Sequence, residues 1–189
     1  LSLAAAKLRL LHFSGAYTTT RTHINGETLL FYDRHLNRLS NSLRFLLNSN
    51  PRLVFGSQFS SSFVIRPSVD LDLIIRGRMS AVMRDALQVA SAERSFGEEL
   101  AVSALIGGNA EELKGIIDEV IDRVFDVYLH IGMYVPPVFG VVGANLAVVG
   151  NRRSFAEAKY SDWARFGWLS NFSLSSSFTV IAFMFFRNV

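Results

Sequence analysis

The sequence predicts a mixed α/β domain of the α+β kind, and three observations carry that prediction. Residues 28–48, TLLFYDRHLNRLSNSLRFLLN, place Leu29, Leu36, Leu39, Leu43 and Leu47 at helical spacing with arginines between them. Short β-branched bursts, VPPVFGVV and then LAVV, occupy residues 135–149 and are separated by Gly-Ala-Asn, a strand-and-turn pattern. Half of the 189 residues are hydrophobic, 16 of them Phe, which is enough to bury a core.

Taken in order, residues 1–26 contain no acid, several basic residues and many Ser and Thr, the composition of a mitochondrial transit peptide or an extended N-terminal segment. The helix of 28–48 ends at Asn48–Pro51. A strand is expected at Leu53–Phe55, then a Gly-Ser loop, then a second strand at about Val69–Ile75. Ser80–Ile106 reads as a helix, broken by Gly107-Gly108. A second, acidic amphipathic helix is expected at Ala110–Phe125. Strands follow at about 128–134, 138–142 and 146–149, and helices at 163–168 and 178–186.

Charge is unevenly spread. Up to Val69 the only acids are Glu27 and Asp33, against Lys7 and a series of arginines, whereas Asp85–Asp126 is acid-rich. A basic front half suits a polyanionic partner such as RNA, and Arg34, Arg38 and Arg44 on the first helix are candidates for a strip facing it.

Residues 127–151 and 166–186 carry no Asp, Glu, Lys or Arg, so a two-helix membrane subunit is an alternative. Pro136-Pro137, four glycines and the serine-rich start of the second run favour core over membrane. The chain has no cysteine, which excludes disulfides, thiolate metal sites and cysteine nucleophiles. It has no P-loop, no Gly-x-Ser-x-Gly elbow and no dinucleotide glycine motif. His12, His23, His35 and His130 are scattered without metal-ligand spacing.

One stretch, VFGSQFSSSFVIRPSVDLDLII, carries chemistry if it contains a strand. On a strand Asp70 and Asp72 share one face while Val69, Leu71 and Leu73 bury on the other. Two carboxylates so placed can hold Mg²⁺, and paired ions can activate an attacking oxygen and neutralise a leaving pyrophosphate. Gly56 and Ser57 suit close approach to a phosphate.

Phe55-Gly56-Ser57, a loop and Asp70-Leu71-Asp72 after an amphipathic helix resemble the DNA polymerase β-like nucleotidyltransferases, of the terminal uridylyltransferase and poly(A) polymerase type. Trp163-Ala164-Arg165, Leu174-Ser175-Ser176 and TVIAFMFF resemble later segments of that family, and YVPPVFGVVGANLAVVGN resembles its strand pair with the third catalytic aspartate. The resemblance implies a nucleotidyltransferase-type mixed sheet flanked by helices. Its divisions would be 1–26 as the leading segment, 27–50 as a central-domain helix, 51–152 as the palm-like domain and 153–189 as the start of a helical central domain.

It further implies catalytic and metal-binding Asp70 and Asp72, nucleotide contacts from Gly56, Ser57, Ser176 and Arg165, Mg as cofactor if the site works, and a nucleoside triphosphate as substrate. The departures imply degeneracy. The third carboxylate falls on Asn145, the base-stacking tyrosine on Ser177 and a triphosphate lysine on Ser161, with Lys159 or Arg165 as the nearby cations. For an active enzyme the third acid would come from Glu157 or Asp162. The expectation is a catalytically degenerate, RNA-contacting or structural subunit of a ribonucleoprotein in the mitochondrial matrix, alongside other protein subunits. The alternative is an active Mg-dependent RNA 3′ nucleotidyltransferase.

Overall fold

The computed structural model describes residues 14–56, 59, 69–113, 121–136, 155–162 and 180–185. In chain order these form β1 (Gly15–His23), β2 (Thr28–Leu29), α1 (Tyr32–Ser49), α2 (Arg52–Phe55), α3 (Leu71–Ala92), β3 (Glu99–Gly108), α4 (Ala110–Leu113), a 3₁₀ turn at Ile121–Val124, β4 (Phe125–Tyr134) and β5 (Val180–Phe185). The five strands lie in the order β2-β1-β3-β4-β5, and each described pairing is antiparallel. The class is α+β, as the sequence predicts.

The layers follow from the apolar periods. In α1, Leu36, Leu39, Leu43, Leu46 and Leu47 form the buried stripe. In α3 the stripe is Leu71, Ile75, Met79, Val82, Met83, Ala86 and Ala90. Both helices lie on one face of the sheet and meet the inward side chains of β3 and β4, among them Leu100, Val102, Ala104, Leu129 and Ile131.

Several elements differ from the sequence reading. The expected strand at Val69–Ile75 is the first turn of α3. Leu71 is 1% exposed and Leu73 is 68% exposed, whereas one strand face would have buried both. The 3.6-residue period that runs on to Ala90 outweighs the local alternation of Val69, Leu71 and Leu73. The expected strand at Leu53–Phe55 is the one-turn helix α2, which Pro51 starts and Gly56 ends.

The helix expected over Ser80–Ile106 is the second half of α3 plus β3. It breaks at Glu93–Glu98, where Gly97 takes a positive φ of 83°. Gly107-Gly108 ends a strand rather than a helix, and Gly108 has a packing reason, since a Cβ there would overlap the Phe55 ring. Of the helix expected at Ala110–Phe125, Ala110–Leu113 is helical and Ile121–Val124 is 3₁₀. Within 178–186, read as a helix, Val180–Phe185 is a strand paired with β4. The strand at 128–134 is observed as part of β4.

Residues 15–23, read as part of a transit-like or extended segment, form β1 between β2 and β3. Strand propensity there comes from four threonines, whose β-branched side chains suit a pleated surface although they show no apolar alternation. Described residues of all four expected segments contribute strands to one sheet. Among the described residues no helix is long and apolar enough to cross a membrane.

Candidate functional site

Asp70 and Asp72 do not share a face. Asp70 is the N-cap of α3, and its Oδ1 accepts the Leu73 N–H at 3.1 Å. Asp72 lies in the first helical turn, where the backbone advances about 100° per residue, so its side chain leaves in a different direction. Its Oδ2 accepts from Arg76 Nε at 2.6 Å and its Oδ1 from Ser40 Oγ at 2.8 Å. Arg76 also donates to Asp33 Oδ1 at 2.8 Å and to Asn37 Oδ1.

The Arg76 hydrogen bond, with help from Ser40, holds the Asp72 carboxyl below its ordinary value against the opposing effect of burial. Two acids expected to hold Mg²⁺ are thus a helix cap and one end of a clasp between α1 and α3. Among the described residues no group of three or more His, Asp and Glu side chains could hold a metal ion.

Gly56 closes α2 with φ 84°, conformationally suited to the role of a loop glycine. Ser57, Asn145, Arg165, Ser176 and Ser177 lie outside the described residues. Ser161 is 5% exposed, and its Oγ accepts the Gly15 N–H at 3.2 Å, so it anchors β1. Glu157 is exposed and Asp162 half-buried.

A different set of residues does converge. Residues 155–162 lie against β1 and α1: Tyr17 N–H donates to the Lys159 carbonyl at 2.8 Å, and Ala16 bridges Tyr160 in antiparallel fashion. Lys159 N–H donates to Ser42 Oγ at 3.0 Å. Phe155 packs edge-on against both Phe45 and Tyr160, which holds the segment on the helix. These contacts leave the Lys159 Nζ over the Tyr17 ring, 5.3 Å from its centroid.

His35, half-buried on α1, shares a 2.8 Å hydrogen bond through Nδ1 with Thr18 Oγ1 on β1. Burial first, then the charges of Arg38 and Lys159, push the His35 pKa below its ordinary value of 6.5. The positive charges of Arg38 and Lys159 thus both bear on His35 near the edge of β1, where an anion would relieve the repulsion on an imidazolium.

The expected arginine strip is shorter than the sequence reading. Arg34 and Arg38 are one turn apart on α1, but Arg44, six residues beyond Arg38, is rotated by about 120°. That rotation brings its charge to bear on Asp72 instead. Among the described residues neither Arg34 nor Arg38 takes part in an ion pair. The sequence marks Lys159 as a cation but not its company, because residues 17 and 159 meet, and the Lys159 charge reaches His35, only through the fold.

Comparison with protein-family models, with curated proteins and with solved structures found no match to this chain.

Proposed function

We propose that this chain binds a compact phosphate-bearing ligand at the corner of β1, α1 and residues 155–162. Arg38 and Lys159 supply the cationic contacts and His35 a titratable one. The observation that carries this reading is that β1 holds both half-buried bases: Thr18 Oγ1 hydrogen-bonds His35, and next to it Tyr17 binds residue 159 through its N–H and lies under the Lys159 ammonium. Tracking a nucleic-acid backbone needs several aligned cations on an open surface. Here Arg44 bears on the acidic clasp instead, which leaves only Arg38, Lys159 and the titratable His35 for an anion.

The RNA-contacting role that the family resemblance implies is the second reading. The exposure of Arg34 and Arg38 on one face of α1 favours it. A mitochondrial ribonucleoprotein remains the setting that this second reading proposes, resting on composition and motif alone. Neither reading assigns a catalytic step to Asp70 or Asp72, since both carboxylates are engaged in holding α3.

Titration with inorganic phosphate, followed through the His35 ring resonances by NMR, tests the first reading. Binding should raise the His35 pKa, and Arg38→Glu or Lys159→Ala should abolish the effect. Single-stranded RNA that binds far more tightly than phosphate, with a steep salt dependence, would favour the second reading. Phosphate that leaves His35 unmoved would refute the first.

A further inference from the structure

Phe31 stands out among the exposed side chains. It is 65% exposed and sits at the N-cap of α1 with φ 50° and ψ 37°, the left-handed region that bulky side chains rarely enter. It also occupies a position that Ser, Thr, Asp or Asn would fill with a capping oxygen, and it makes no side-chain cap bond. An exposed ring, a strained backbone and a forgone cap coincide at one residue, and each works against stability. Such an accumulation points to use rather than packing.

Its neighbourhood indicates the use. The Arg34 guanidinium carbon lies over one face of the Phe31 ring, 5.6 Å from its centroid, and the ring is still 65% exposed. One turn on is His35, whose N–H donates to the Phe31 carbonyl at 3.1 Å, and Arg38 follows at the next helical step. Residues three and four apart on a helix are surface neighbours. The ring therefore adjoins the cationic corner along one face of α1.

We infer that Phe31 is the seat for a flat aromatic ring, a nucleobase in chemical class, carried by the phosphate-bearing ligand. Arg34 covers one face of the Phe31 ring, the base takes the other, and the phosphate lies toward Arg38, His35 and Lys159. The inference rests on the phosphate site proposed above. Base-on-aromatic stacking tolerates any base, because every base presents a π-face.

The test compares AMP, ribose 5-phosphate and inorganic phosphate by calorimetry on the wild-type chain, Phe31→Asn and Phe31→Tyr. AMP should bind the wild type about tenfold more tightly than ribose 5-phosphate, the scale of one stacked base. Phe31→Asn should erase that difference while leaving inorganic phosphate binding unchanged, and Phe31→Tyr should keep it. Asn suits both the left-handed backbone and the cap, so the melting temperature of Phe31→Asn should equal or exceed that of the wild type. A preference for AMP that is absent, or that survives Phe31→Asn, overturns the seat. Failure of inorganic phosphate to bind the wild type refutes the site beneath it, and the seat falls with it.

Discussion

Arg76 Nε donates to Asp72 Oδ2 at 2.6 Å, and the same guanidinium reaches Asp33 and Asn37 on α1. This one residue ties the first turn of α3 to the polar flank of α1, and it accounts for a charge at position 72 within an apolar run. The pair is spaced i, i+4 on the helix, a separation that brings the side chains together without distortion.

Replacing Asp72 by Ala should lower stability by about 1 kcal/mol. This is the low end for hydrogen bonds to a charged group, because the side chain is 38% exposed and water screens it. Thermal unfolding with and without Mg²⁺ checks both this role and the metal reading. Magnesium should leave the melting temperature of the wild type and of the variant where it was.

Asp70→Ala should cost about 1 kcal/mol through loss of the cap to Leu73, while Asp70→Ser or Asp70→Asn should restore most of it. Urea denaturation of the three variants measures this. A metal ligand would not be rescued by serine.

Leu71 and Leu73 give the sharpest comparison. Leu71→Ala should destabilise by about 3 kcal/mol and Leu73→Ala by less than about 0.5 kcal/mol, since one is buried and the other exposed. A strand carrying both on its inner face would make the two losses similar, so two denaturation curves decide between helix and strand.

Glu99 is 6% exposed at the start of β3, and it holds the β1–β2 turn. It accepts from Thr22 Oγ1 at 2.7 Å and from the N–H groups of Asn25 and Gly26, each at 2.9 Å. Burial acts to raise its pKa, but the Thr22, Gly26 and Asn25 donors outweigh burial and hold it below 4.5. A carboxyl with a depressed folded pKa contributes stability that is present above its unfolded value and lost as pH falls through the folded one. Stability should therefore decline below about pH 4.5. Glu99→Gln should lower it by about 2 kcal/mol at neutral pH and flatten the decline, as measured by denaturation across pH.

His35 acts in a higher window. Its folded pKa lies below 6.5, so the unfolded chain takes up a proton first as pH falls, and stability drops from about pH 6.5 downward until the folded imidazole is also protonated. His35→Gln should remove that part of the pH dependence. Saturating phosphate should reduce it in the wild type by favouring the imidazolium.

How much of this was legible beforehand depends on the range of the interaction concerned. The stripe of Leu36, Leu39 and Leu43 announces α1 because helical period is a local property, and the fold class follows from such periods. At Val69–Ile75 the local pattern and the longer one disagree: three alternating apolar residues fit a strand over seven positions but a helix over twenty-two. Threonine-rich β1 carries no period at all, because its inward positions Thr18, Thr20 and Thr22 are satisfied by hydrogen bonds to His35, the Leu30 carbonyl and Glu99 rather than by apolar packing.

Sequence alone determined the apolar stripes, the breaks at glycine and proline and the basic character of the front half, since each depends on neighbours along the chain. Tertiary structure decided which charges meet. Asp72 became part of a clasp because α1 brings Ser40 within 2.8 Å of it, and α3 itself presents Arg76 one turn on. Lys159 came to lie over Tyr17, with its charge felt at His35, because β1 hydrogen-bonds to residue 159 across more than a hundred positions of chain. Electrostatic and hydrogen-bonding partners are chosen by distance in space, and no pattern along the sequence records that distance.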